Sequence, residues 1–168
     1  MLADHVIRPT DPGFAEIVQA AIDAKTKPPG SLGRIEALAL QMALAQNTAA
    51  PGADPARLLI FAGDHGIVAE GVSAWPQEVT AQMVQNFLAG GAASTVFART
   101  NGVDVTVVDA GIAADLADAP GLVRAGIRRG TRNAAAADAL TPEEVAQALD
   151  FGANLAAQAA AGGAKVIA

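Results

Sequence analysis

The chain has 168 residues, of which 42 are Ala, with 11 Lys and Arg against 17 Asp and Glu, two His, one Trp and no Cys, so one domain or slightly more, with a close-packed and helix-rich core, is expected. A net charge of −6 leaves no basic field for a phosphate backbone and argues against nucleic-acid partners, while the absence of thiols excludes disulfides, thiolate catalysis and Cys-ligated zinc. No apolar run reaches the roughly 18 residues of a membrane span, and MLADHVIRPTDPGF lacks the basic and apolar regions of a signal peptide, which predicts a soluble cytoplasmic protein without membrane contact.

From Phe14 to Ala24, the residues Phe14, Ile17, Val18, Ala21 and Ile22 recur at three- and four-residue steps and predict a short helix with one buried stripe. Lys27-Pro28-Pro29-Gly30 ends it, and Ser31 is the expected N-cap of a second helix whose inward face is Leu32, Ile35, Leu38, Ala39 and Met42. Asn47 to Ala56 reads as a loop, so 1–50 is expected to be a helical segment and 51–168 part of an α/β domain. Leu58 to Ala62 is a continuous apolar run, the pattern of a strand covered on both faces. Pro76 suits the first turn of a helix on which Val79, Met83, Val84 and Phe87 share a face. A helix from Ala92 to Arg99 then leads to a second strand, Val103 to Val108, and the order strand, helices, strand is a βαβ arrangement.

Leu122 to Ile127 predicts a third strand, interrupted by Ala125 and Gly126. Thr141-Pro142-Glu143-Glu144 is a capping box ahead of a helix that runs to about Ala161. Lys165 to Ala168 opens a further buried strand, and a parallel strand met at its start predicts more chain beyond Ala168. The fold class expected is α/β, a parallel sheet flanked by helices.

Open parallel sheets bind ligands beyond the carboxyl ends of their strands. The residues placed there are Asp64-His65-Gly66 after the first strand, Asp109-Ala110-Gly111 after the second, and Arg128 to Asn133 after the third. Asp64, His65 and Asp109 offer ligands for a metal or an acid/base pair. The plainer reading makes Asp64 a cap for local backbone and His65 a loop hydrogen-bonder. A zinc site lacks a third strong ligand, His5 being remote in sequence. Arg128, Arg129 and Arg132 around Gly130 can hold a phosphate or form a solvated basic turn. Trp75, before Pro76, can wall a flat ligand's pocket or simply pack.

The runs KPPGSLGRIEALALQMA (Lys27 to Ala43), FAGDHGIVAEGVSAWPQEVTAQMVQNFLAGGAA (Phe61 to Ala93), VDVTVVDAGI (Val103 to Ile112) and GTRN (Gly130 to Asn133) resemble, in order and over nearly the whole chain, the nicotinate-nucleotide:dimethylbenzimidazole phosphoribosyltransferases. That resemblance implies transfer of ribose 5-phosphate from nicotinate mononucleotide to 5,6-dimethylbenzimidazole, giving α-ribazole 5′-phosphate and nicotinate for cobalamin synthesis. It also implies a large domain with a Rossmann-like parallel sheet flanked by helices, a small helical domain that holds the first two helices, a homodimer, and no metal and no cofactor. The family's general-base glutamate and its glycine-rich phosphate loop correspond to sequence beyond Ala168, so the resemblance gives no residue here the role of base. Trp75, Pro76, Gln82 and Met83 fall at or beside positions that touch the benzimidazole in the family. With the strand-end residues Asp64, His65 and Asp109, they are the expected substrate-binding set. Two other readings differ in class: a non-catalytic base-binding or dimerisation fragment, and a metal-dependent hydrolase using Asp64, His65 and Asp109.

Overall fold

A computed structural model describes residues 9–168, which divide into two compact units, 9–54 and Pro55–Ala168; His5 lies outside the described residues. The first unit is a helix pair. Helix α1, Pro12–Asp23, begins two residues before the expected Phe14, because the Asp11 carboxylate accepts the Gly13 N–H at 2.8 Å and Pro12 needs no amide partner there. Its seam is Phe14, Val18 and Ile22, while Ile17 and Ala21 are exposed. Helix α2 is Arg34–Gln46, starting after Gly33 rather than after Ser31. Ser31 lies instead in a turn, its N–H bonded to the Pro28 carbonyl. The Lys27 ammonium sits 2.9 Å from Glu36, which also accepts the Leu32 N–H. Lys27 and then that backbone N–H hold the Glu36 carboxyl below the usual carboxylate range. This ion pair fastens the Pro- and Gly-rich connector onto α2.

The expected inward face of α2 is corrected. Leu32, Ile35 and Leu38 are exposed, Ala39 and Met42 are half-buried, and burial centres on Ala43. Within this unit each helix packs on one other helix, and the two meet along a narrow seam rather than a broad stripe.

The second unit is built on strands β1 (Ala56–Gly63), β2 (Asp104–Gly111), β3 (Leu122–Arg124) and β4 (Val166–Ile167), all parallel in the order β3-β2-β1-β4. Helices α3 (Glu78–Leu88) and α4 (Ala93–Thr100) connect β1 to β2, and α5 (Pro142–Ala161) precedes β4. Register sets Ile60 beside Val107 and Val107 beside Leu122. Val107 then meets Val84 of α3 and Ile112, with Phe87, Leu88 and Leu122 packed around them. Successive strand residues face opposite ways, so Val108, fully buried, belongs to the other face together with Phe61. Phe61 is 50% exposed, so cover on that face is incomplete where two-sided burial was expected. The third strand ends at Arg124, because Gly126 takes a left-handed φ of 68° that no strand continues. Among the described residues no helix is long and apolar enough to cross a membrane.

Candidate functional site

β1 is flanked by β2 on one side and β4 on the other, with successive strands running outward from it, so its carboxyl end is a point where the sheet order changes direction. The turn Asp64-His65 leaves that end and enters a 3-10 turn, Gly66–Glu70. Over it lies a cavity of about 330 Å³, lined among others by Asp64, His65, Val68, Trp75, Pro76 and Thr80. Its size is at the lower end of the roughly 300–1,000 Å³ of small-molecule sites, and apolar side chains with few polar groups are their usual lining.

Asp64 is buried, and its bonds are to backbone. Its Oδ2 accepts the Ala113 N–H at 2.8 Å, its own N–H donates to Gly111, and its carbonyl accepts the Thr131 N–H. The carboxylate therefore ties the ends of β1 and β2 together. His65 is exposed beside the cavity, its carbonyl accepting the Val68 N–H at 3.1 Å. Trp75 is 72% exposed, on a loop where the Ser73 hydroxyl donates to the Trp75 carbonyl at 2.8 Å and accepts its N–H at 3.2 Å. A large ring left open to water at a cavity mouth is a surface that a flat apolar ligand can cover. Pro76 lies ahead of α3, not in its first turn, and its carbonyl accepts the Val79 N–H. Gln82 and Met83 are both exposed on α3, outside the lining of this cavity. The face expected for α3 is thus corrected at Met83, while Val84 is fully buried.

Asp109 is not brought into the same cavity. Its Oδ1 accepts the N–H groups of Gly111 and Ile112, and its Oδ2 accepts from Arg124 at 3.1 Å. It lines a neighbouring hollow of about 280 Å³ with Arg124, Arg128 and Arg129. Among the described residues no group of three His, Asp or Glu is disposed to hold a metal ion. The Asp64 Oδ2 thus goes to backbone 49 residues away rather than to the local backbone of its own turn, while the Asp109 oxygens go to the Gly111 and Ile112 N–H groups and to Arg124.

The arginines of the GTRN region are engaged with carboxylates. Arg129 pairs with Asp115, which it holds below the usual carboxylate range. Arg132 grips Glu144 with both Nη atoms at 2.6 and 3.0 Å, and Arg128 approaches the same carboxylate at 3.9 Å. Glu144 also closes the capping box of α5 with Thr141. The Arg132 bonds first, and then the Thr141 N–H, hold its carboxyl down to about 2.

The 131–133 segment braces the cavity's turn from behind, which the sequence reading did not anticipate. Gly66 donates its N–H to the Thr131 hydroxyl at 3.2 Å, and a Cβ on Gly66 would lie 2.6 Å from the backbone of Thr131, Arg132 and Asn133. The juxtaposition of GDHG and GTRN, two Gly-containing strand ends, was the signal available.

Comparison with known proteins places this geometry among relatives. A phosphoribosyltransferase family profile matches residues 7–168. The nicotinate-nucleotide–dimethylbenzimidazole phosphoribosyltransferase of Cupriavidus taiwanensis is 55% identical over 146 residues, 87% of this chain and 42% of that protein. The enzyme of the same name from Aromatoleum aromaticum is 48% identical over 98% of this chain and 48% of its own length. The crystal structure of the Thermus thermophilus enzyme of that name superposes with a TM-score of 0.85 at 44% identity, covering 94% of this chain and 48% of that one. The chain thus spans about half the length of the relatives it matches.

Proposed function

The chain belongs to the phosphoribosyltransferase family, and from that premise we propose that the protein transfers the ribose 5-phosphate of nicotinate mononucleotide to 5,6-dimethylbenzimidazole, the cavity at the end of β1 taking the benzimidazole. The relatives' names carry the substrate pair. The observation that carries the placement is the half-open cavity with Trp75 at its mouth and Asp64 and His65 on its lining. In the reaction a ring nitrogen of the base attacks C1′ of the ribose, the bond from C1′ to the nicotinate nitrogen breaks, and the proton of the base's N–H passes to a general base. The residues of this cavity bind and orient the planar ring and exclude water from it; none of them is assigned the proton. Asp64 and Asp109 shape the two strand ends through their backbone bonds, and Trp75 and Pro76 supply the apolar wall. Gln82 and Met83 would then act only at the periphery of the ring site. A homodimer and a cytoplasmic location belong to the same reading.

Isothermal titration with 5,6-dimethylbenzimidazole tests the cavity, and nicotinate release from nicotinate mononucleotide in its presence tests the transfer. Saturable binding of the benzimidazole that is weakened by Trp75→Ala is expected. A folded protein that does not bind it overturns the reading, and sedimentation velocity checks the dimer.

A further inference from the structure

We propose that Arg132 and Glu144 are positioning residues for the cavity at the end of β1, holding its floor in place from outside; the choice of ligand rests on the function proposed above. Neither residue lines the cavity. Glu144 is fixed at the first turn of α5, where its Oε2 accepts the Thr141 N–H at 2.7 Å and its backbone N–H donates to the Thr141 hydroxyl at 3.2 Å. Both its oxygens then receive the Arg132 fork, a geometry that fixes direction as well as distance. The Arg132 N–H donates to the Ala139 carbonyl at 2.9 Å, so backbone and side chain are both anchored to the segment entering α5.

On either side of Arg132, its neighbours seize the cavity turn. Thr131 donates its N–H to the Asp64 carbonyl at 2.9 Å and accepts the Gly66 N–H. Asn133 donates to the Glu70 carboxylate at the far end of the 3-10 turn. The turn that supplies Asp64, His65, Ile67 and Val68 to the cavity is therefore clamped at both ends by one three-residue segment. The middle residue of that segment carries the bidentate ion pair. A ligand site held by loops needs such outside support to keep its contacts in register.

The test measures amide hydrogen exchange at Gly66 and Thr131, and the affinity for 5,6-dimethylbenzimidazole, in Arg132→Gln, Arg132→Lys and the control Thr95→Ala. Thr95 is buried in α4, its hydroxyl donating to Ala92, away from this network. Expected are faster exchange at both amides in Arg132→Gln, a smaller effect in Arg132→Lys, and affinity weakened about three- to tenfold, with Thr95→Ala changing neither. Should Arg132→Gln fail to fold, Arg132→Lys carries the comparison. Exchange at Gly66 and Thr131 equal to wild type in the folded Arg132 variants overturns the proposal, as does an equal change in Thr95→Ala. A wild type that does not bind the benzimidazole, with exchange still responding to Arg132, overturns the base-site reading and leaves the clamp standing.

Discussion

The Asp64 carboxylate accepts the backbone N–H of Ala113 at 2.8 Å, joining residues 49 apart in sequence across the ends of two parallel strands. The charge on Asp64 is thus spent on architecture. Removing it by Asp64→Ala leaves a partly buried N–H without its acceptor, at a cost of about 1–3 kcal/mol. Asp64→Asn keeps an acceptor oxygen and costs less. Urea denaturation of both variants checks the order; equal destabilisation would show that the carbonyl-type acceptor does not suffice.

Gly66 is required by proximity. A methyl group there meets the backbone of the 131–133 segment at 2.6 Å, and backbone cannot swing aside as a side-chain tip can. Gly66→Ala is expected to cost about 1–3 kcal/mol through overpacking and to lower the melting temperature accordingly. Gly152, with nothing within 4 Å of its Cβ position and set in the interior of α5, is the contrast. There, Ala should stabilise by about 0.5–1 kcal/mol. Differential scanning calorimetry of the two variants should give shifts of opposite sign.

Much of the α/β unit was legible because its signals are local. The apolar run of β1, the strand after Val103 and the Thr141 capping box each announce themselves within a few residues, and each lies where expected. The start of α1 was equally local, in Asp11-Pro12, and was overlooked. What could not be read is whatever depends on a distant partner. Asp109 finds Arg124, 15 residues on, rather than facing Asp64 and His65. Arg132 finds Glu144 rather than solvent or phosphate. Helical spacing groups Met83 with Val84, yet only Val84 meets the sheet, since a stripe's centre is set by the packing partner and not by the period. Trp75 borders a cavity that rests on the turn after β1, the place where the rule for parallel sheets puts ligand sites.

Trp75 is the side chain whose loss separates binding from folding. Being 72% exposed, it contributes little to the core, so Trp75→Ala should leave the unfolding midpoint nearly unchanged, within about 0.5 kcal/mol as for most surface substitutions. Its affinity for 5,6-dimethylbenzimidazole should fall by about three- to tenfold, the loss of one aromatic stacking partner. Trp75→Phe should recover most of it. Calorimetric titration reads the affinity, and retention of full affinity in Trp75→Ala would remove the ring from the site.

Glu144 fixes an acid limb of the stability profile. Its carboxyl is held at about 2, against 4.5 for an unpaired glutamate, first by the Arg132 hydrogen bonds and then by the Thr141 N–H. A carboxyl whose pKa is lower folded than unfolded binds fewer protons in the native state. Its contribution is therefore fully present above the unfolded value and is lost as pH falls from about 4.5 towards 2. Glu36, Asp115 and Glu143 are lowered as well, so the wild-type curve alone does not isolate Glu144. The difference between wild type and Glu144→Gln does. That difference should be constant from neutral pH down to the unfolded value and shrink below it, as measured by urea denaturation across the acid range. A difference that stays constant through a pH of about 3, between the folded and unfolded values, would show that the Arg132 pair does not hold the carboxyl down.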